Sequence, residues 1–373
     1  KLVTTGNVIW DNYPYERYVF MVHATSGAGG ATEHLNSTII QRPRDRFGSR
    51  KDYLAFISTA AHEFIHTWNV KAYRPKGIAP YDYTNINYAK TLWIAEGSTS
   101  YFEDHLMVRS GIETTDEFFG TLTKTINRHL QTPGREVQSA TETSFDKWIN
   151  QGGDHARNYS TNIYLEGSLI SMALDIDLLE KSDGKISYRD VHRALYNKHR
   201  LPDGFTPDDV KAILKELTGR DYSAWWQANV DEPAAIDFDS LLAKVGLGLI
   251  RPEGAKSVPS IDSMAKDSGE LLTLTHVRRG GAAWQAGLTT EDKIVAFNKK
   301  HVGKDLTASL ETFKAGDTVT VDFIRRDALQ STTLTLSEDF DKEKKVKALK
   351  DATPAQMALF KAWMGVDHPN QAK

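Results

Sequence analysis

The sequence predicts a multidomain chain with an α+β part, mainly helical after residue 50, then a β-rich module and a short helical tail. Three observations predict this. Apolar residues recur at three- and four-residue spacing in several segments between 51 and 235. Near Asp231-Glu-Pro233 the texture changes to short strands separated by turn residues. After 338 the chain becomes highly charged and then weakly helical. At 373 residues it is long enough for two or three domains.

The elements follow in order. Residues 1–50 read as extended and loop structure, with Tyr18 to Ala24 as a buried strand leading into the flexible turn Ser26 to Gly30. From Lys51 the pattern turns helical, with Leu54, Ile57, Ala61, Phe64, Ile65 and Trp68 on the apolar positions. Residues 73–86 form a loop with two prolines, and a second helix covers about Tyr88 to Arg109, stopped by Gly111. Further helices fall at roughly 116–131, 162–181 and 187–198. Thr206-Pro207-Asp208-Asp209 supplies a cap, a proline at the first helical position and first-turn acids, so a helix runs from there to about Leu217. Tyr222 to Val230 adds a short one. In the β-rich region, Leu271–Val277, Lys293–Phe297 and Thr318–Phe323 read as strands, and Ala355 to Met364 as a final helix. The expected division is 1–50, 51–235, 236–338 and 339–373, with the first two forming one domain.

Composition removes several classes of function. A formal net charge of -3 gives no basic surface for nucleic acid or anionic membrane. No apolar run approaches a membrane span. The chain has no cysteine, which excludes disulfides, thiolate ligands and a cysteine nucleophile. It is expected to be soluble, in the cytoplasm or the periplasm, and composition does not choose between them. Lys1 to Asp11 lacks the pattern of a signal peptide, and the first residue is not Met, so a processed or trimmed piece of a longer protein is expected.

His62-Glu63-Phe64-Ile65-His66 is an H-E-x-x-H motif inside a predicted helix. Its four-residue separation puts both imidazoles on one face, where they can share one tetrahedral zinc ion. Glu63, one residue beyond His62, can act as a general base without being a ligand. The helix is apolar on most sides, so the imidazoles would be buried, and buried imidazoles need partners. A third ligand is required, and Glu96 in Leu92–Phe102 is the candidate, its apolar flanks arguing against a lone carboxylate. The alternative is a surface-facing Glu96 with Glu103 or Asp104 as the ligand.

The stretch His62 to Lys71, with Arg74-Pro75, Pro80 to Thr84 and Leu92 to Tyr101, resembles the glycyl aminopeptidase family of gluzincin metallopeptidases. The resemblance implies a thermolysin-like catalytic domain and one zinc ion. It also implies peptide substrates with small N-terminal residues such as glycine or alanine. Family members carry a further N-terminal β-sheet domain, so this chain resembles their catalytic and C-terminal part. Gly29 to His34 resembles the segment whose glutamate, here Glu33, binds the substrate's amino group; Thr32 departs from the large apolar residue usual before it. Asn162 to Gly167 resembles the motif whose tyrosine, here Tyr164, donates to the oxyanion, with Glu166 where lysine is usual. Tyr159 is the fallback for Tyr164.

Val245 to Ile250 resembles the carboxylate-binding loop of a PDZ domain. Ala286-Gly-Leu288, Asp292 to Asn298 and Gly316 to Val321 follow the PDZ order, with Glu291 and Lys299 where turn glycines are common. Such a module implies capture of a peptide C-terminus at a sheet edge, or a purely structural appendage. The resulting expectation is a zinc aminopeptidase with His62, His66 and Glu96 on the metal, Glu63 as base, Tyr164 on the oxyanion and Glu33 on the amino terminus. The alternatives are a zinc endopeptidase of the same fold and a non-catalytic PDZ-based peptide-binding protein.

Overall fold

The computed structural model describes residues 1–149 and 152–371; positions 150–151 and 372–373, the last two at the end of the expected tail, lie outside the described residues. The chain opens with two short helices, Leu2–Thr5 and Asn7–Trp10, where extended structure was expected. Four residues are too few to show a helical period. They bury Trp10, which stacks on Trp68 with ring centroids 4.6 Å apart.

Strands β1 (Val19–Thr25), β2 (Gly30–Glu33) and β3 (Ser37–Pro43) form a sheet of order β1-β3-β2. β1 runs parallel to β3, and β2 antiparallel, bringing Glu33 opposite Thr38. The first of these strands is not the buried strand expected over 18–24. It lies at the sheet edge, and Met21 and Val22 are exposed. An apolar run reports the tendency to be buried, but an edge strand has only one neighbour to cover it.

The helix Arg50–Ile65 starts where the Ser49 side chain accepts from Asp52 N, and it packs against β2, β3 and the helix Ser98–Arg109. That second helix does not begin at 88. Residues Trp93–Gly97 make one wide π-helical turn before the α-helix takes over. Such turns displace side chains from regular spacing and are frequent at functional sites. Gly97 lies against Gly167 of the helix Ile163–Lys181, so closely that a Cβ on Gly97 would come 2.4 Å from Gly167 Cα. Two glycines facing each other let these backbones touch, and this contact sets Glu96 near Tyr164.

Helices Thr115–Leu130, Tyr188–Lys198 and Pro207–Thr218 lie where the periodicity predicts, the first and third opened by a reciprocal capping box and the second by Asp190 accepting from Ser187 N and Oγ. The Ile163–Lys181 helix is buried almost all round and forms the centre of the main apolar core.

The β-rich region carries a six-stranded sheet. Its path runs Ala328–Thr335, Thr318–Arg325, Lys293–Phe297, Leu272–Val277, Ser263–Asp267, with Lys300–His301 pairing beside Lys293–Phe297. Its own apolar core gathers residues from Ile261 to Leu336. It docks on the helix Gly153–Tyr159, where Asn158 Nδ2 donates to Val277 O at 2.9 Å and Arg279 N donates to Asn158 Oδ1 at 2.8 Å. Asp154 pairs with His276 across the same contact.

One segment behaves differently from its expectation. Val245 to Ile250 is not a loop at a groove. Leu247–Ile250 is a strand paired with Lys345–Ala348, and Leu247 and Leu249 are buried in the main core. Alternating leucines bury one face of a strand, and that preference overrides the Gly-x-Gly resemblance. The stretch after 338, expected as a charged helical tail, carries the helix expected over 355–364 and packs it on the main core. Phe360, Trp363 and Met364 of the helix Pro354–Met364 insert into the main core. Trp363 Nε1 donates to Tyr101 OH at 2.7 Å, and Arg109 Nη2 donates to Trp363 O at 2.7 Å, a cation at the negative end of that helix. Among the described residues no helix is long and apolar enough to cross a membrane.

Candidate functional site

His62 and His66 lie one turn apart at the end of the Arg50–Ile65 helix, ring centroids 4.7 Å apart and nearly perpendicular. The wide turn Trp93–Gly97 points Glu96 between them. Glu96 Oε2 is 3.3 Å from His62 Nε2 and 3.4 Å from His66 Nε2. All three ligand atoms lie within 4.8 Å of one another. Two donors on a tetrahedral zinc, with bonds of about 2.05 Å, stand about 3.3 Å apart. The His–Glu separations therefore fit one such ion.

Each imidazole is aimed by a partner on its other nitrogen. His62 Nδ1 donates to Glu103 Oε2 at 2.7 Å, and Ser58 Oγ donates to Glu103 Oε1 at 2.7 Å. His66 Nδ1 donates to Asn69 O at 2.9 Å. Asn69 is itself anchored, Nδ2 donating to Ile94 O at 2.9 Å and to Thr99 Oγ1 at 3.0 Å. Partners of this kind fix the ring orientation and leave Nε2 free for a metal. Glu103 thus stands behind His62, outside the cluster, and Asp104 is not part of it.

Glu63 is buried, and its Oε2 has no hydrogen-bond partner among the described residues. An orphaned carboxylate oxygen beside three converging ligand atoms marks a place for a water or substrate atom. The electrostatics agree. Burial pushes the Glu63 carboxyl up, Glu33 and Glu96 add to this, and His66 and His62 oppose it. Burial works against ionisation of Glu96 too, but hydrogen bonds from His62 and His66 outweigh it and hold the carboxyl well below its ordinary range. Burial lowers His62, yet its bonds to Glu103 and Glu96 prevail and leave it raised to about 10 before any metal binds.

Tyr164, in the first turn of the Ile163–Lys181 helix, lies with its ring 6.0 Å from His62, centroid to centroid. Burial raises its hydroxyl far above the usual range, and the carboxylates of Glu96, Glu63 and Glu33 add to the rise. It therefore stays protonated and able to donate. The neighbouring Glu166 turns inward and pairs with His129 Nδ1 at 2.9 Å, so the residue that departs from the lysine pattern is buried away from the cluster. Tyr159 belongs elsewhere, with its ring packed on His155 and Trp284 at the docking contact of the β-rich module.

Glu33 lies at the end of β2, on the His66 side. Burial raises its carboxyl, but His66, its own backbone N–H and Lys71 bring it below the ordinary value. Its Oε1 is 3.1 Å from Lys71 Nζ. Sequence reasoning missed both Glu103 as the partner of His62 and Lys71 as the partner of Glu33. The i, i+7 spacing of Glu96 and Glu103 was the one signal for the former.

Three converging ligand atoms beside a free carboxylate, on a helix-rich α+β frame, define a site able to hold a metal ion. Comparison with known proteins narrows the class. The family model described as M61 glycyl aminopeptidase matches residues 55–170, a stretch containing His62, Glu63, His66, Glu96 and Tyr164. The crystal structure of an aminopeptidase N family protein from Idiomarina loihiensis is 26% identical and matches with a TM-score of 0.81, covering 97% of this chain and 65% of that one. The chain therefore spans just under two thirds of that relative's length. A serine endoprotease from Yersinia pestis matches 25% of this chain and 30% of its own, at 21% identity and a TM-score of 0.20. An HtrA-type protease AlgW with decapeptide matches 22% and 30%, at 14% identity and 0.21. Overlaps that small define no shared fold. No curated protein matches. The family match and the Idiomarina structure support a peptidase.

Proposed function

We propose that this chain hydrolyses peptides at a single zinc ion held by His62 Nε2, His66 Nε2 and Glu96, and that it removes N-terminal residues. The observation that carries the reading is the convergence of those three atoms at zinc-like separations next to the unpartnered Glu63 oxygen. When bound, zinc supplies Lewis acidity, polarising the scissile carbonyl and acidifying water.

The chain's own residues do the rest. Glu63 takes a proton from the attacking water as the water oxygen bonds to the carbonyl carbon. It then delivers that proton to the amide nitrogen as the C–N bond breaks. A group that must both accept and return a proton works best with a pKa near neutrality. Tyr164 donates to the developing oxyanion, an interaction of about 3 kcal/mol in the transition state. Glu33 receives the substrate ammonium and sets the cut after the first residue. A preference for small residues such as glycine or alanine comes from the family likeness.

One observation favours an endopeptidase instead: Lys71 already balances the charge of Glu33. The two readings separate on Glu33→Gln, assayed on free and N-acetylated peptides. An aminopeptidase loses hydrolysis of the free peptides alone. An equal effect on both refutes that reading. Glu63→Gln should abolish turnover while metal content stays at one zinc ion, and undiminished turnover would refute the enzyme reading altogether.

The β-rich module is read as PDZ-like. Glu291 and Lys299 sit at φ 70° and 66°, the left-handed conformation that glycine adopts freely. Capture of a peptide C-terminus by this module is part of the same proposal, at a place other than 245–250, which pairs with Lys345–Ala348.

A further inference from the structure

The turn after the histidine helix has an unusual backbone. Lys71 N donates to His66 O at 3.0 Å, and Ala72 N and Tyr73 N both donate to Trp68 O. Val70 stands at φ 119°, a conformation that a β-branched residue rarely adopts. Several anchors hold the strained turn. Val70 N donates to Tyr73 O at 2.8 Å, Val70 is buried with Ile78 and Leu92, and Asn69 is tied to the Ile94 and Thr99 segment. One consequence is the carbonyl that orients His66. The other is the placement of Lys71, whose ammonium meets Glu33 across 38 residues of sequence, with side-chain exposures of 18% and 26%.

We propose that Lys71 determines specificity by occupying the place on Glu33 that a substrate's α-ammonium takes, so that a free N-terminus binds by displacing it. The inference rests on the aminopeptidase reading above. A second ammonium within hydrogen-bond reach of Glu33 Oε1 comes close to the first. Two like charges about 4 Å apart in a partly buried site repel each other, so the two cations compete rather than share. The four-carbon stem of lysine lets its ammonium swing out toward water while the backbone stays fixed. A blocked N-terminus carries no charge with which to displace it. Lys71 therefore sharpens the choice between free and blocked peptides, at the expense of affinity for the free ones.

Lys71→Met keeps the stem and removes the charge. On a free aminoacyl-nitroanilide, KM and the inhibition constant of ethylamine should each fall by about fivefold, with kcat within about twofold. KM for an N-acetylated peptide should not change. Lys71→Arg, which grips a carboxylate with two donors, should raise KM for the free substrate, and it decides the question alone if Lys71→Met does not fold. A KM that rises or stays level in Lys71→Met, or falls in Lys71→Arg, overturns the proposal. Glu33→Gln keeps the two failures apart. If it impairs only free substrates while Lys71→Met gives no gain, displacement is wrong and the aminopeptidase reading stands. If it impairs free and blocked substrates equally, the aminopeptidase reading itself falls.

Discussion

Replacing Glu103 with alanine tests how the histidine pair is held ready. Glu103 accepts from His62 Nδ1 at 2.7 Å and from Ser58 Oγ at 2.7 Å, so the carboxylate is fixed by one partner while it fixes the other. Without it, the imidazole loses the acceptor that chooses its tautomer and its rotation, and Nε2 no longer faces Glu96 by default. Partners of this kind are worth about 10- to 100-fold in metal affinity, or about 1.4–2.7 kcal/mol. Glu103→Gln keeps an oxygen acceptor and loses the charge, so its loss should be the smaller of the two. Competition against a chromophoric chelator reads the zinc affinity directly, without reference to turnover. Wild-type affinity in Glu103→Ala, within about twofold, would refute the idea that this carboxylate orients His62.

Other expectations follow from the same geometry. Tyr164→Phe should lower kcat by about 100-fold with KM and zinc content unchanged, and a matching change in KM would move the tyrosine from transition state to ground state. Gly97→Ala forces a Cβ against Gly167 and should destabilise the fold by about 2–3 kcal/mol in a denaturant titration. An unchanged midpoint would show that the two helices can separate freely. Burial raises the Glu113 carboxyl to about 7, with Glu117 and Glu103 adding to the rise and a bond from Thr121 opposing it. Its folded pKa lies above its unfolded one. Its contribution to stability is therefore complete below the unfolded value of 4.5 and lost as the pH rises through about 7. Glu113→Gln should raise Tm at pH 8 and leave it nearly level at pH 4, and a larger gain at the acid end would contradict the sign.

The convergence of His62, His66 and Glu96 was legible because its information is local. The four-residue spacing of His62 and His66 is helix geometry, and the apolar neighbours of Glu96 announce a buried carboxylate in need of a partner. Glu103 was not legible in its actual role, because which acid faces His62 depends on the wide turn at Trp93–Gly97 and on the Gly97–Gly167 contact. The pairing of Lys71 with Glu33 depends on the backbone of Val70, which no propensity predicts. In the fold, strong amphipathic helices such as Thr115–Leu130 were placed to within a residue or two of their ends. The packing partners of two segments were not legible. Leu247–Ile250 and Pro354–Met364 join the main core, and only the tertiary structure reveals which core an apolar residue joins.

The central claim is a zinc-dependent hydrolytic site built on His62, His66 and Glu96. The most direct test strips the protein with a chelator, then titrates zinc back while hydrolysis of a free-amine glycyl- or alanyl-nitroanilide is followed. The account predicts that activity vanishes on stripping and returns linearly to a break at one zinc per chain, and that Glu96→Ala never recovers. Full activity in the stripped protein, or recovery in Glu96→Ala at the same stoichiometry, would contradict it.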